Sequence, residues 1–409
     1  MFLFVVDSFN LGGTEKNMIL LAKEVSKKYS VIVSSLISSG PLIELLELNK
    51  LEYFVSILNI DLCDLFYKNK IKYIYIARSG EHNDVYTKLF MEAKKCNCEI
   101  FEHNIFANYD NSYLNDYIDV HMFLSSSQIL KYKSSVMKCS PRTLNEINVG
   151  ILPNIICNAD ITITKEFSRN YLGIPQDAFV VGFVGRGAID KFDYINIAVW
   201  MKLSKKIKNL FPVVRTLPKE YKEEFLTYFG ENCKVLPLTL DALELNATYA
   251  SMDIFFNLSI IGESFGIGMI DAMSYGVPSI VDAKEDYYIK DNTQVEHILI
   301  SGAGYIGSDV NSIVESVIGY YDATDKEKEN ISIKAKEYAK KFSPYNVSGM
   351  FLNIILTNKI TLKSINTKKV KYDILSNLSW SKKLIFITRV VKIFVISTIR
   401  SIDFFCKKS

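Results

Sequence analysis

Glu263 and Asp271 stand eight residues apart in GESFGIGMIDAMSYGVP, residues 262–278, with Gly266 and Gly268 between them. The apolar run DIFFNLS (253–259) comes just before, and Gly276 and Pro278 close the stretch. The pattern predicts a strand, a loop, and a helix from about Gly266 to Tyr275. The free N–H groups and positive end of such a helix seat an anion such as a diphosphate. Glycines at 266 and 268 remove side chains where that anion approaches. Glu263, just upstream, reaches one side of the bound phosphates; Asp271, about one to two turns into the helix, reaches the other. A sugar, a diphosphate and a ribose in a row have that layout, because sugar hydroxyls suit carboxylate acceptors.

Two cations sit where a second strand ends. FVVGFVG (179–185) is followed by Arg186 and, five residues on, Lys191, which by themselves read as a pair of surface cations. Gly12 and Gly13 precede the first helical stretch and by themselves read as a tight turn before it. His103 follows the run EIFE (99–102) and is expected at the carboxyl edge of a sheet, where it either faces a ligand or bonds within its loop. His121 reads as a core residue inside a strand, and His82 and His297 have no supporting neighbours in sequence. No Asp-x-Asp triplet occurs, and Cys96 and Cys98 lack a second pair at metal-site spacing, so no metal is expected. VGFVGRG has the order G-x-x-G-x-G, a weak match to the nicotinamide fingerprint.

The elements that must position these residues alternate between short apolar runs and helical stretches, the pattern of parallel α/β sheets. Strands are expected at 2–6, 31–36, 73–76, 99–102 and 120–125, with a first helix from about Thr14 to Lys28. Pro153 and Asn154 interrupt the series, which restarts with runs at 179–185, 211–215, 234–238, 253–259 and 278–282. Two doubly wound domains would leave a cleft at the carboxyl ends of both sheets. The expected boundaries are 1–152, 153–345 and 346–409, the last part comprising a closing helix and a basic tail.

With these motifs in place, the chain resembles retaining glycosyltransferase family 4. GESFGIGMIDAMSYGVP is similar to its E-x7-E signature, VVDSFNLGGTEKNMILLAKEV to its Gly-Gly-x-Glu loop and first helix, FVGRGAIDKFD to its VGR…K segment, and ILPN to its hinge. Four motifs in order span about residues 1–355. The resemblance implies an α/β GT-B fold, two Rossmann-like domains facing a cleft, and sugar transfer with retention. It implies that Glu263 contacts the donor sugar, Asp271 the ribose, and Arg186 and Lys191 the diphosphate. Gly13, Phe265, Gly266 and Ile267 would join the donor site, and His103 would look toward the donor sugar and acceptor. Glu263, His103, Arg186 and Lys191 would be catalytic. The chain departs from the pattern in two places: the second acid is Asp271, a methylene shorter than Glu, and VVRTLPKE replaces a glycine-rich turn.

Composition narrows the partners. The chain has 409 residues and a net charge of +3, but residues 359–409 carry twelve Lys and Arg against Asp373 and Asp403. That tail is +10, so the body is −7. An acidic body with a basic tail argues against nucleic acid and for an anionic membrane surface met by residues 359–409. KKLIFITRVVKIFVISTIRSIDFFCKKS (382–409) is too charged to span a bilayer and reads as a basic amphipathic helix lying in the interface, or else packing on the body. Seven scattered cysteines and MFLFVVDS at the start, lacking a basic leader, point to a reducing cytoplasm. The expected protein is a nucleotide-sugar-dependent glycosyltransferase at the inner face of the cell membrane, needing no cofactor or metal and acting on a lipid-linked saccharide in bacterial surface-polysaccharide assembly. The alternatives are a catalytically silent GT-B subunit that binds a partner transferase and a nicotinamide-dependent oxidoreductase.

Overall fold

The computed structural model describes residues 1–365 except 140, 157–161, 240, 284–290 and 358. Its described residues divide into two compact units, residues 1–155 with 344–365, and residues 156–343.

The first unit alternates strands and helices as the apolar pattern requires. In chain order they are β1 (Phe2–Ser8), α1 (Gly13–Ser26), β2 (Val31–Ser38), α2 (Ile43–Leu48), β3 (Glu52–Phe54), α3 (Leu62–Lys68), β4 (Tyr73–Arg78), α4 (Thr87–Lys95), β5 (Glu99–Asn104), β6 (Val120–Phe123), α5 (Ser126–Cys139) and β7 (Asn148–Ile151). The strand order is β3-β2-β1-β4-β5-β6-β7, all parallel. Helices cover both faces, so side chains alternate between two buried layers rather than between core and water. Phe4, Val6, Tyr75 and Phe101 face one layer with Met18 and Ala22 of α1. Leu3, Val5, Ile74, Ile76 and Ile100 face the other with Leu65 of α3 and Leu89 of α4.

The second unit repeats the plan with α6 (Lys165–Leu172), β8 (Phe179–Val184), α7 (Ile195–Leu203), β9 (Leu210–Arg215), α8 (Lys219–Phe229), β10 (Lys234–Leu236), α9 (Ala242–Ala250), β11 (Ile254–Asn257), α10 (Ile267–Ser274), β12 (Ser279–Asp282), α11 (Thr293–Ser301), β13 (Gly304–Gly307), α12 (Val310–Asp322) and α13 (Asp325–Lys340). Its parallel sheet runs β10-β9-β8-β11-β12-β13. That is the doubly wound order, whose switch point lies between β8 and β11. Trp200 of α7, fully buried, packs with Phe183, Phe192, Phe225 and Phe256 on one face of the sheet.

A final helix, α14 (Pro344–Leu356), belongs to the first unit. Phe351 packs on Phe2, Phe4 and Tyr75 with ring centroids 5.6 to 6.0 Å apart. Gly150 in β7 leaves room for Ile354, which a Cβ there would meet at 3.1 Å. The two-residue strand Ile360–Thr361 then adds antiparallel to β7. No described helix is long and apolar enough to cross a membrane. The expected amphipathic helix at 382–409, with the basic tail beyond 365, lies outside the described residues.

Candidate functional site

Parallel strands separate at a switch point, and the loops leaving β8 and β11 diverge there to opposite faces of the sheet. In this unit those loops carry Arg186, Lys191 and Glu263, and they are tied together. Ile260 N donates to Asp190 O (3.1 Å), Asp193 N to Leu258 O (3.2 Å), and the Asn196 amide to Leu258 O (2.9 Å). Lys191 Nζ lies 3.1 Å from Glu263 Oε2 and 3.4 Å from Gly262 O. Both side chains are mostly buried, 20% and 18% exposed. Burial raises the Glu263 carboxyl pKa above its ordinary value, and the Lys191 ammonium opposes that rise. Arg186 is different: its side chain is 70% exposed and pairs with Asp190 at 3.4 Å. The two cations expected side by side are thus one inside, on Glu263, and one outside.

Gly266 caps α10 in the left-handed conformation (φ 86°, ψ 53°), which glycine adopts without a Cβ penalty, and its carbonyl accepts from Met269 N and Ile270 N. The helix spans 267–274, close to the expected 266–275. Gly268 serves packing rather than ligand access, since a Cβ there would come within 3.2 Å of Tyr249 Oη and Val184 O. The Phe265 ring turns into the core against His297 and Phe342, and the whole residue is buried. Ile267 and Asp271 are half-buried. The Asp271 carboxylate, after burial itself, helps push the Tyr249 phenol pKa up.

Helix α11 holds this loop from behind, a role sequence reading missed. Thr293 N donates to Glu263 O (3.2 Å), Gln294 Oε1 accepts from Glu263 N (3.1 Å), and Gln294 Nε2 donates to Asp282 O (3.1 Å). His297 Nε2 bonds Phe265 O at 2.8 Å, and Nδ1 meets Tyr338 Oη at 2.9 Å. A carbonyl only accepts, so Nε2 carries the proton and Nδ1 accepts from the tyrosine. Burial lowers the His297 pKa to about 4, keeping the ring neutral. The one available signal was the i, i+3 spacing of Gln294 and His297 on a helix, which names no partner.

The missing glycine turn after β9 is also resolved. Thr216 adopts φ 64°, an unfavourable region for a β-branched residue, and its hydroxyl bonds Gly185 O and Arg215 O. The strained turn braces the loop that begins at Gly185.

In the first unit, Gly13 is exposed and opens α1, while Glu15 folds back over Gly12. His103 requires a correction. It lies inside β5, which runs two residues further than expected, and is 2% exposed. Nδ1 meets Tyr75 Oη at 2.6 Å and Nε2 meets Leu152 O at 2.9 Å, so both ring nitrogens are engaged within the unit. Burial lowers its pKa to about 4. His121 is buried as expected, bonded to Glu102, which also pairs with Arg78. Among the described residues no cluster of three or more His, Cys, Asp or Glu is disposed to hold a metal.

No protein-family model matches the sequence, and no curated protein matches it either. Solved structures do. Anabaena HepE in complex with UDP is 16% identical, covering 87% of this chain and 99% of its own, with a TM-score of 0.65. A glycosyltransferase from Rickettsia africae is 15% identical over 88% of this chain and 99% of its own, TM-score 0.65. WaaG, a glycosyltransferase involved in lipopolysaccharide biosynthesis, is 13% identical over 88% and 100%, TM-score 0.57. At such identities the likeness speaks to fold, and the fold is the GT-B architecture of two Rossmann-like domains.

Proposed function

We propose that the chain is a retaining, metal-independent glycosyltransferase that moves a sugar from a nucleotide diphosphate onto a lipid-linked saccharide of a bacterial surface polysaccharide. It would work in the cytoplasm at the membrane's inner face, held there by its basic tail. The observation that carries this reading is the half-buried Lys191–Glu263 pair, 3.1 Å apart at the capped N-terminus of α10, on the switch point of the second sheet. Its parts match the donor's parts. The α10 N–H groups and Lys191 take the diphosphate and balance the charge that grows on it as it leaves. Glu263 accepts from the donor sugar's hydroxyls and Asp271 from the ribose. Arg186 adds an exposed second cation, and Gly13, Gly266 and Ile267 offer backbone. His103, enclosed in its strand, is left out of the reacting groups. In the step itself the acceptor oxygen bonds the anomeric carbon, the carbon–phosphate oxygen bond breaks on the same face, and the leaving phosphate takes the acceptor's proton.

A thermal-shift panel of UDP, GDP, CMP and dTDP and their sugars tests this, with UDP-sugars first because HepE holds UDP. A ligand at about a hundredfold excess over Kd adds about 2.7 kcal/mol to the folded state. One nucleotide sugar should stabilise the protein, with the sugar's share lost in Glu263→Gln. Silence across the panel overturns the donor site. Loss of product formation in chelator, restored by Mg²⁺ or Mn²⁺, overturns metal independence.

A further inference from the structure

Two cysteines far apart in sequence meet between α3 and α4. Cys63 lies in the first turn of α3 and Cys96 caps the C-terminus of α4, 33 residues on. Their sulfurs are 3.2 Å apart, with Cys96 Sγ directed at Cys63 Sγ. Cys63 Sγ in turn donates to Glu92 Oε2 at 2.8 Å, and Lys95 holds the other oxygen of that carboxylate at 2.6 Å. Both cysteines are partly exposed, whereas Cys98 nearby is 2% exposed and bonded to Ile71 O. The pair is therefore within reach of a small oxidant and its neighbour is not.

We infer that Cys63 and Cys96 form a reversible redox-modification site, closing to an intramolecular disulfide with a low-molecular-weight disulfide as the oxidant. The roles follow from the contacts. Cys96, deprotonated to water, attacks one sulfur of oxidised glutathione, forming a mixed disulfide and releasing one glutathione thiolate. Cys63, deprotonated to water, then attacks the Cys96 sulfur, and the second glutathione thiolate leaves. The two thiolates take up the two protons, so two protein thiols are oxidised and one glutathione disulfide is reduced to two thiols. The hydrogen bond to Glu92 pushes the Cys63 thiol up to about 12, which leaves the first attack to Cys96. The bond would pin α3 to α4 on one face of the first sheet. The site is independent of the donor site in the second unit.

The test treats the full-length native protein with oxidised glutathione, alkylates it after denaturation and maps the peptides. The expected result is joint loss of alkylation at Cys63 and Cys96, a linked peptide joining them, and return of both thiols with dithiothreitol. Cys63→Ser should instead stop at a mixed disulfide on Cys96, and Glu92→Gln, which removes the bond that holds Cys63 protonated, should speed closure. Exposed Cys139 reports that the oxidant acted. Glutathionylated Cys139 with Cys63 and Cys96 still alkylatable, or a link through Cys98, overturns the inference.

Discussion

Acidification from about pH 7 to about pH 5 should cost the second unit about 2 kcal/mol through His297 alone. The ring is 3% exposed and enclosed by Phe265, Tyr338 and Phe342, so its pKa falls from the ordinary 6.5 to about 4. A depressed histidine pKa means that the unfolded chain binds the proton more readily. The stability held by the neutral ring is therefore complete above about 6.5 and is lost as pH falls toward about 4. Proton linkage between those two values gives a loss of about 0.2 kcal/mol at pH 7, about 2 at pH 5 and about 3 at pH 4. Urea unfolding followed by Trp200 fluorescence reports the second unit, because Trp200 is fully buried in its core; a Trp380→Phe background removes the other tryptophan. His297→Gln supplies a donor and an acceptor without titrating in this range. The native protein should lose about 2 kcal/mol more than the variant between the two pH values. His103 is present in both proteins, so its contribution cancels. Equal losses would mean that His297 does not sit neutral in a closed core, and the account of how α11 holds the Glu263 loop would fall with it.

Other perturbations probe the remaining links. Asn17 brackets the end of the first unit, its amide donating to Ile155 O at 3.0 Å and accepting from Ile155 N at 3.1 Å; Asn17→Ala should cost about 3 kcal/mol in urea unfolding, and a loss under about 1 would refute the bracket. Gly268→Val should destabilise by about 1–3 kcal/mol, because branching at a position already 3.2 Å from Tyr249 Oη and Val184 O forces α10 off β8, and a neutral result contradicts that packing. Lys191→Met removes the cation that opposes burial at Glu263, so a carboxyl NMR titration should place Glu263 higher in the variant than in the native protein; coincident titrations would separate the pair. Truncation after residue 365 keeps the Ile360–Thr361 strand on β7 and removes most of the basic tail; binding to anionic vesicles should disappear, and its persistence would refute the tail's role.

Period and punctuation in the sequence determined the architecture: alternating apolar runs and helical stretches gave two parallel sheets. They also placed α10, because Gly266, Gly276 and Pro278 are local signals that bound a helix whatever surrounds it. Short strands escaped for the same reason in reverse. Glu52–Phe54 is three residues at a sheet edge, and Gly304–Gly307 is half glycine; neither holds a pattern that stands without its neighbours. His103 was misplaced by two residues of strand, and only pairing with Ala77 and Met122 on either side decides that it is enclosed. Likewise Thr216 takes a backbone conformation that local preference disfavours, because the chain around it fixes the turn. Sequence spacing named Lys191 and Glu263 as separate candidates; that they form one half-buried pair while Arg186 points to water depends on loops 72 residues apart meeting at one switch point. The same holds for His297, whose partners come from a loop and a helix on either side of it in sequence. Local signals are written in neighbouring residues, but burial and partnership are properties of distant segments brought together, and those only the tertiary structure supplies.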